Sequence, residues 1–156
     1  LEETKSGGEM VVSNDAYTKG RIDLQLIPYY NRIVNLCFYL ERNPDVKFIE
    51  NLEKLMDDPN IKGYKTSEYN QTRWRIYGAN LELLLAVAAI RCGSMKGTEC
   101  LISYLEDIHS NFRYFSRNEL CSVYGKDGGY DRAAWRKLVK DKKSLKVSPL
   151  KKSIEV

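Results

Sequence analysis

Apolar residues along this chain recur mostly in steps of three and four, the period of an α-helix with one buried face. Leu26, Ile27, Tyr30, Ile33, Val34, Cys37 and Leu40 make the first such stripe. Asp23 is its candidate cap, and Pro28 moves its start a few residues later. A second stripe, Val46, Ile49, Leu52, Leu55 and Met56, follows Asn43-Pro44, a capping residue with proline at the first helical position. Asp58-Pro59-Asn60 stops it, and the tight link between the two stripes predicts an antiparallel or steeply angled hairpin.

Ile61 to Lys65 reads as a loop. Thr66 or Ser67 then opens the longest helix, which runs to about Arg91 and stops before Gly93. Its second half is apolar nearly all round, which predicts a central helix enclosed by the others. Gly78, Ala79, Ala86 and Ala89 are small enough to let those neighbours come close. Glu82 sits uncomfortably in this half: it has to reach the rim, meet a base, or serve a function.

Thr98 starts the next predicted helix, with Leu101, Ile102, Leu105, Ile108, Phe112 and Phe115 as its apolar set. Ser116 and Glu119 have capping-box spacing, which predicts a short helix through Leu120, Val123 and Tyr124 to Gly125. After the turn Lys126-Asp127-Gly128-Gly129, Asp131 caps a last amphipathic helix carrying Ala134, Trp135, Leu138 and Val139. With no strand pattern and no repeat, the expectation is all-α: an irregular bundle or short solenoid-like array of about five to six helices. The expected organisation is a flexible arm over residues 1–22, one helical globular domain over 23–140, and a flexible basic tail over 141–156.

Length and composition fit that outline. The chain has 156 residues, enough for one core, with 43% apolar and 29% charged residues. Its longest apolar run, Leu83 to Ile90, is far short of a membrane span, and its N-terminal stretch has no secretory pattern. Because it begins at Leu1, the expectation is a piece of a larger protein, intracellular and either nuclear or cytoplasmic. Four cysteines (Cys37, Cys92, Cys100 and Cys121) have no metal-like spacing and read as reduced, helix-packed thiols.

Charge changes the picture at one end. The net charge is +4, but residues 132–156 hold nine bases against Asp141 and Glu155. That is +7 on the terminal stretch and −3 on residues 1–131. Arg132, Arg136, Lys137, Lys140, Lys142, Lys143, Lys146, Lys151 and Lys152 are the candidate contacts for phosphates or an acidic partner. No base-reading motif accompanies them, so nucleic-acid binding through this end would not be sequence-specific. The same helix, with Trp135 and Leu138, also suits an anionic surface. Ser148-Pro149-Leu150-Lys151 matches the pattern that proline-directed kinases accept, which makes Ser148 a candidate phosphosite whose phosphate would offset the neighbouring lysines.

Catalytic and metal chemistry find little support. The chain has one histidine, His109, and neither CxxC nor HExxH, so no metal and no cofactor is expected. A Cys100–His109 couple on one helix would be separated by roughly 13 Å of rise. There is no GxSxG elbow, and the glycines at 125–129 match no phosphate-cradling motif. Glu82 is the one acid whose apolar surroundings invite a raised pKa, with a salt bridge as its simpler role. Roles for Glu82 and His109 stay open, and a small enzyme ranks third among the readings.

Aromatic residues carry more. Eleven tyrosines and two tryptophans exceed what one core needs, and tyrosine and arginine favour interface centres. Arg73, Trp74, Arg75, Arg113 and Tyr114 are the candidate partner-binding residues. The first reading is therefore a protein-interaction or scaffolding module. The second is a nucleic-acid-associated domain that uses the basic C-terminus.

Overall fold

The computed structural model describes residues 28–58, 73–140 and 146–150. Within them lie six α-helices: α1 (Pro28–Arg42), α2 (Ile49–Met56), α3 (Arg73–Cys92), α4 (Met95–Ser103), α5 (Ser110–Tyr124) and α6 (Arg132–Lys140). No strand occurs among the described residues, and the architecture is an irregular all-α bundle. The arm at 1–22, the Asp23 cap, the Ile61–Lys65 loop and the Thr66/Ser67 helix start lie outside them.

The enclosed helix is the one the apolar run marks. From Leu81 to Cys92 only Leu84 escapes burial, and α1, α2, α4 and α5 all pack against α3. At Gly97, α4 comes close to the α3 backbone. A Cβ there would lie 2.7 Å from the Ala86 carbonyl oxygen, 2.8 Å from the Ile90 nitrogen and 3.1 Å from the Ala89 Cβ. The small residues on α3 thus meet a residue with no side chain, and the two backbones touch.

Several boundaries differ from the sequence reading, each for a local reason. Asn43 ends α1 instead of capping α2: its backbone N–H and its side-chain amide both donate to the Tyr39 carbonyl, at 2.9 and 3.1 Å. Asp45 is the cap, accepting from the Lys47 N–H at 3.0 Å and opening a 3-10 turn, Val46–Phe48, that runs into α2. Ser94, not Thr98, caps α4. Its hydroxyl accepts from the Gly97 N–H at 3.2 Å and donates to Glu53 of α2 at 2.6 Å. Thr98 is buried and shares a 2.7 Å hydrogen bond with the Tyr124 hydroxyl.

The helix expected from Thr98 to Phe115 is two helices. After Ser103 the backbone tightens into i→i−3 bonds, from Tyr104 to Leu101 and from Leu105 to Ile102. Asp107 then accepts from the His109 N–H two residues on, at 2.9 Å, a local bond that competes with helix continuation. Ile108 is consequently 52% exposed instead of joining the core. Ser116 caps nothing; it lies fully buried within α5, and its hydroxyl has no hydrogen bond to the described residues.

Asp131 does cap α6, accepting from Ala133 and Ala134 at 2.8 and 3.3 Å. Trp135 anchors that helix. It is fully buried, donates its indole N–H to the Gly129 carbonyl at 2.8 Å and meets Tyr124 edge-on.

The C-terminal stretch returns to the bundle at 146–150. Ser148 donates its N–H to the Arg91 carbonyl at 2.9 Å, and Leu150 donates to the Glu41 carbonyl at 2.7 Å. This strap crosses the C-terminal ends of α3 and α1, where helical carbonyls lack partners in their own helix. Val147 and Leu150 remain 42% and 36% exposed, so hydrogen bonds rather than apolar burial hold it.

Candidate functional site

The break between α4 and α5 builds the most promising surface. His109 stands at the N-cap of α5 but makes no side-chain capping bond, so the first amides of that helix are not capped by a side chain. Its ring turns back to Asp107 at 3.0 Å and lies against Phe112. Arg113, one turn into α5, donates Nη1 to the Asp107 carbonyl at 2.7 Å. That bond fixes the guanidinium while leaving its other nitrogens unused by the described residues.

Around this point Ser110, Asn111, Arg113, Tyr114 and Tyr130 line an open cleft of about 580 Å³. Tyr114 is 62% exposed. Tyr130 is held from behind: the Arg117 guanidinium carbon lies 4.8 Å from its ring centre, and Arg117 in turn donates Nε to Asp127 at 2.9 Å. Arg117 and Gly129 both bond Asp127, which holds its carboxyl well below the usual range. The wall carrying Tyr130 is therefore braced by charge and ring stacking.

Sequence spacing brings Arg113 and Tyr114 into this site but misses Tyr130. The available signal was an aromatic residue directly after Gly128-Gly129, the turn that carries it across to α5. Arg73, Trp74 and Arg75 fall in the first turn of α3, and their side chains lie outside the described ones.

Two buried polar clusters lie elsewhere. Glu82 is 5% exposed and meets neither the rim nor a base among the described residues. Its oxygens accept from the Tyr104 hydroxyl at 2.7 Å and the Cys100 thiol at 3.6 Å, and no cation among the described residues pairs with it. Burial, and then the Glu82 charge, push the Tyr104 phenol far up, so it stays a proton donor to the carboxylate. This couple satisfies the buried acid and opens onto no described cleft.

Arg91 is the residue the sequence reading passed over. It is 2% exposed at the C-terminus of α3, where a cation suits the helix dipole. Nη2 donates to Glu119 at 3.0 Å and to the Ser122 hydroxyl at 3.2 Å, and Nη1 donates to the Ser148 carbonyl at 3.1 Å. Nε has no partner. One guanidinium thus joins α3, α5 and the strap.

The basic end is less free than its charge count implies. Arg132 donates Nε to Glu106 at 2.8 Å, and Arg136 donates Nε to Glu99 at 3.1 Å, pairing α6 with one acid of α4 and one of the turn that follows it. Lys137, Lys140 and Lys146 are exposed. Lys142, Lys143, Lys151 and Lys152 lie outside the described residues. Ser148 is half-buried in the strap.

None of the four cysteines forms a disulfide; Cys37 and Cys92 are buried, and burial drives the Cys37 thiol well above its ordinary value. Among the described residues no group of three or more His, Cys, Asp or Glu could hold a metal ion, and no helix is long and apolar enough to cross a membrane. Comparison of the chain with known protein families, with curated proteins and with solved structures gives no match in any of the three.

Proposed function

We propose that the protein is a binding module whose α5 cleft receives a short segment of a partner protein bearing an acidic side chain. The observation that carries this reading is the composition of the cleft: two tyrosines, a pre-positioned arginine, a serine and an asparagine. Tyrosine offers large contact area at small entropic cost, while serine and asparagine adapt their hydrogen bonds, a mixture typical of recognition surfaces. Charge selects the occupant. Arg113 and the uncapped N-terminus of α5 both favour an anion, and no described carboxylate lines the cleft to oppose one.

The competing reading is phosphate binding by the basic end. The pairing of Arg132 with Glu106 and of Arg136 with Glu99 weighs against it, although Lys137, Lys140 and Lys146 remain available. One experiment separates the two. Peptides selected from a random display library on the immobilised chain are titrated against the parent, Tyr114→Ala and Arg113→Ala. Labelled DNA and RNA are titrated in parallel across a salt series.

Acidic peptides binding at micromolar strength and weakened about tenfold or more by either substitution support the cleft. Selected peptides that bind both variants as well as the parent would refute it. Steeply salt-dependent nucleic-acid binding, unaffected by Tyr114→Ala, would move the function to the basic end.

A further inference from the structure

The strap places the kinase-type sequence Ser148-Pro149-Leu150-Lys151 in an unusual setting. Ser148 has both backbone groups engaged by one residue: its N–H by the Arg91 carbonyl and its carbonyl by the Arg91 guanidinium. A serine clasped on both sides against a helix end cannot enter an enzyme cleft that must surround it. Yet the clasp is a weak one. Its apolar side chains stay exposed, and segments that bury little apolar surface open locally far more often than the core does.

The electrostatics of the docked state give the second half of the argument. Arg91 is already committed to Glu119 and Ser122, and Glu41 lies close enough to feel both Glu119 and Arg91. Burial, and then the Glu119 charge, raise the Glu41 carboxyl against the opposing pull of Arg91 and Arg42, so on balance an added negative charge is disfavoured at Glu41. A phosphate on Ser148 would bring nearly two more negative charges there, with both Arg91 Nη atoms already engaged and only Nε left over.

We propose that Ser148 is a phosphorylation site open only while the strap is released, and that the phosphate then prevents the strap from docking again. In the transfer, the Ser148 oxygen forms a bond to the γ-phosphorus of a nucleoside triphosphate held by a proline-directed kinase. The bond to the diphosphate breaks, and the hydroxyl proton passes to the kinase's base. The strap is thus a latch that modification holds open, uncovering Arg91 and the ends of α1 and α3.

The test compares the initial phosphorylation rate of the full chain with that of a free peptide of residues 143–156, under one proline-directed kinase. Docking slows the full chain in proportion to its released fraction, by about tenfold or more. Leu150→Pro removes the N–H donated to Glu41, and the full chain carrying it is modified at the rate of its own peptide. Phosphorylated chain, made stoichiometrically by genetic phosphoserine incorporation, is then followed by amide hydrogen exchange. Ser148 and Leu150 lose protection while Ile90 and Leu101 keep theirs. Equal rates for chain and peptide, or a peptide the kinase does not modify, would overturn the gating. Retained or increased protection at Ser148, as when the phosphate takes the unpartnered Arg91 Nε, would overturn the release.

Discussion

Gly97→Ala sets two well-known effects against each other, and the structure decides the sign. Alanine gains about 1 kcal/mol over glycine in a helix interior from backbone entropy, an upper bound for Gly97, which lies in the first turn of α4. Here, however, the new methyl would sit 2.7 and 2.8 Å from backbone atoms of Ala86 and Ile90. Neither is a side-chain end that can rotate away. Relief requires moving α4 off α3 by several tenths of an ångström along their whole contact, and overpacking of this kind costs typically about 1–3 kcal/mol. With backbone on both sides the upper part of that range applies, leaving a net loss of about 2 kcal/mol after the propensity gain. In urea denaturation that loss lowers the midpoint by about 1 M at unchanged m-value. A variant as stable as the parent, or more so, would refute the claim that α3 and α4 touch at Gly97.

Three further outcomes follow from the buried polar groups. Arg91→Met leaves Glu119 without its ion-pair partner and Ser148 without its donor, and costs about 3 kcal/mol in chemical denaturation; adding Glu119→Gln recovers part of the loss. Tyr104→Phe removes the stronger of the two donors to Glu82 and costs about 2 kcal/mol, measured in the same way, whereas no change would mean that Glu82 has another partner. Glu41 has a raised folded-state pKa, so its ionised form is disfavoured on folding. Glu41→Gln therefore raises the urea midpoint at pH 7, and the difference closes as pH falls through the raised value to below the ordinary glutamate value of about 4.3. A gain that persists unchanged at pH 3 would place its origin elsewhere.

Helix class and the central helix were legible in the sequence because periodicity reports burial directly. The all-round apolar run from Leu83 to Ile90 could only belong to an enclosed helix. Gly93, Gly125 and Asp131 marked ends for reasons internal to their own turns. Errors arose where two local signals competed. Asn43 and Asp45 are both good caps two residues apart, and only the fold shows that Asn43 bonds backwards to Tyr39. Ser116 and Glu119 match a capping box, but Ser116 faces the core and Glu119 serves Arg91 from another helix. The cleft was half legible. Arg113 and Tyr114 share a local stretch, whereas Tyr130 reaches them only through the turn after Tyr124. Arg91 could not be read as a hub, because its partners Glu119 and Ser148 are 28 and 57 residues away.

Those separations also set an order of assembly during synthesis. The α3–α4 contact joins chain neighbours and can close as soon as both helices have left the ribosome, since short loops cost little entropy to close. Glu119 and Ser122 reach Arg91 when α5 arrives, which neutralises the charge early. Ser148 emerges only after α6, so the last hydrogen bond of the guanidinium must wait until the rest of the bundle has been made. The nascent protein thus passes through a stage in which all six described helices are present and the Glu41 and Arg91 carbonyls at the ends of α1 and α3 still lack the strap's amides. A cellular factor able to read those ends would meet newly made chains differently from finished ones.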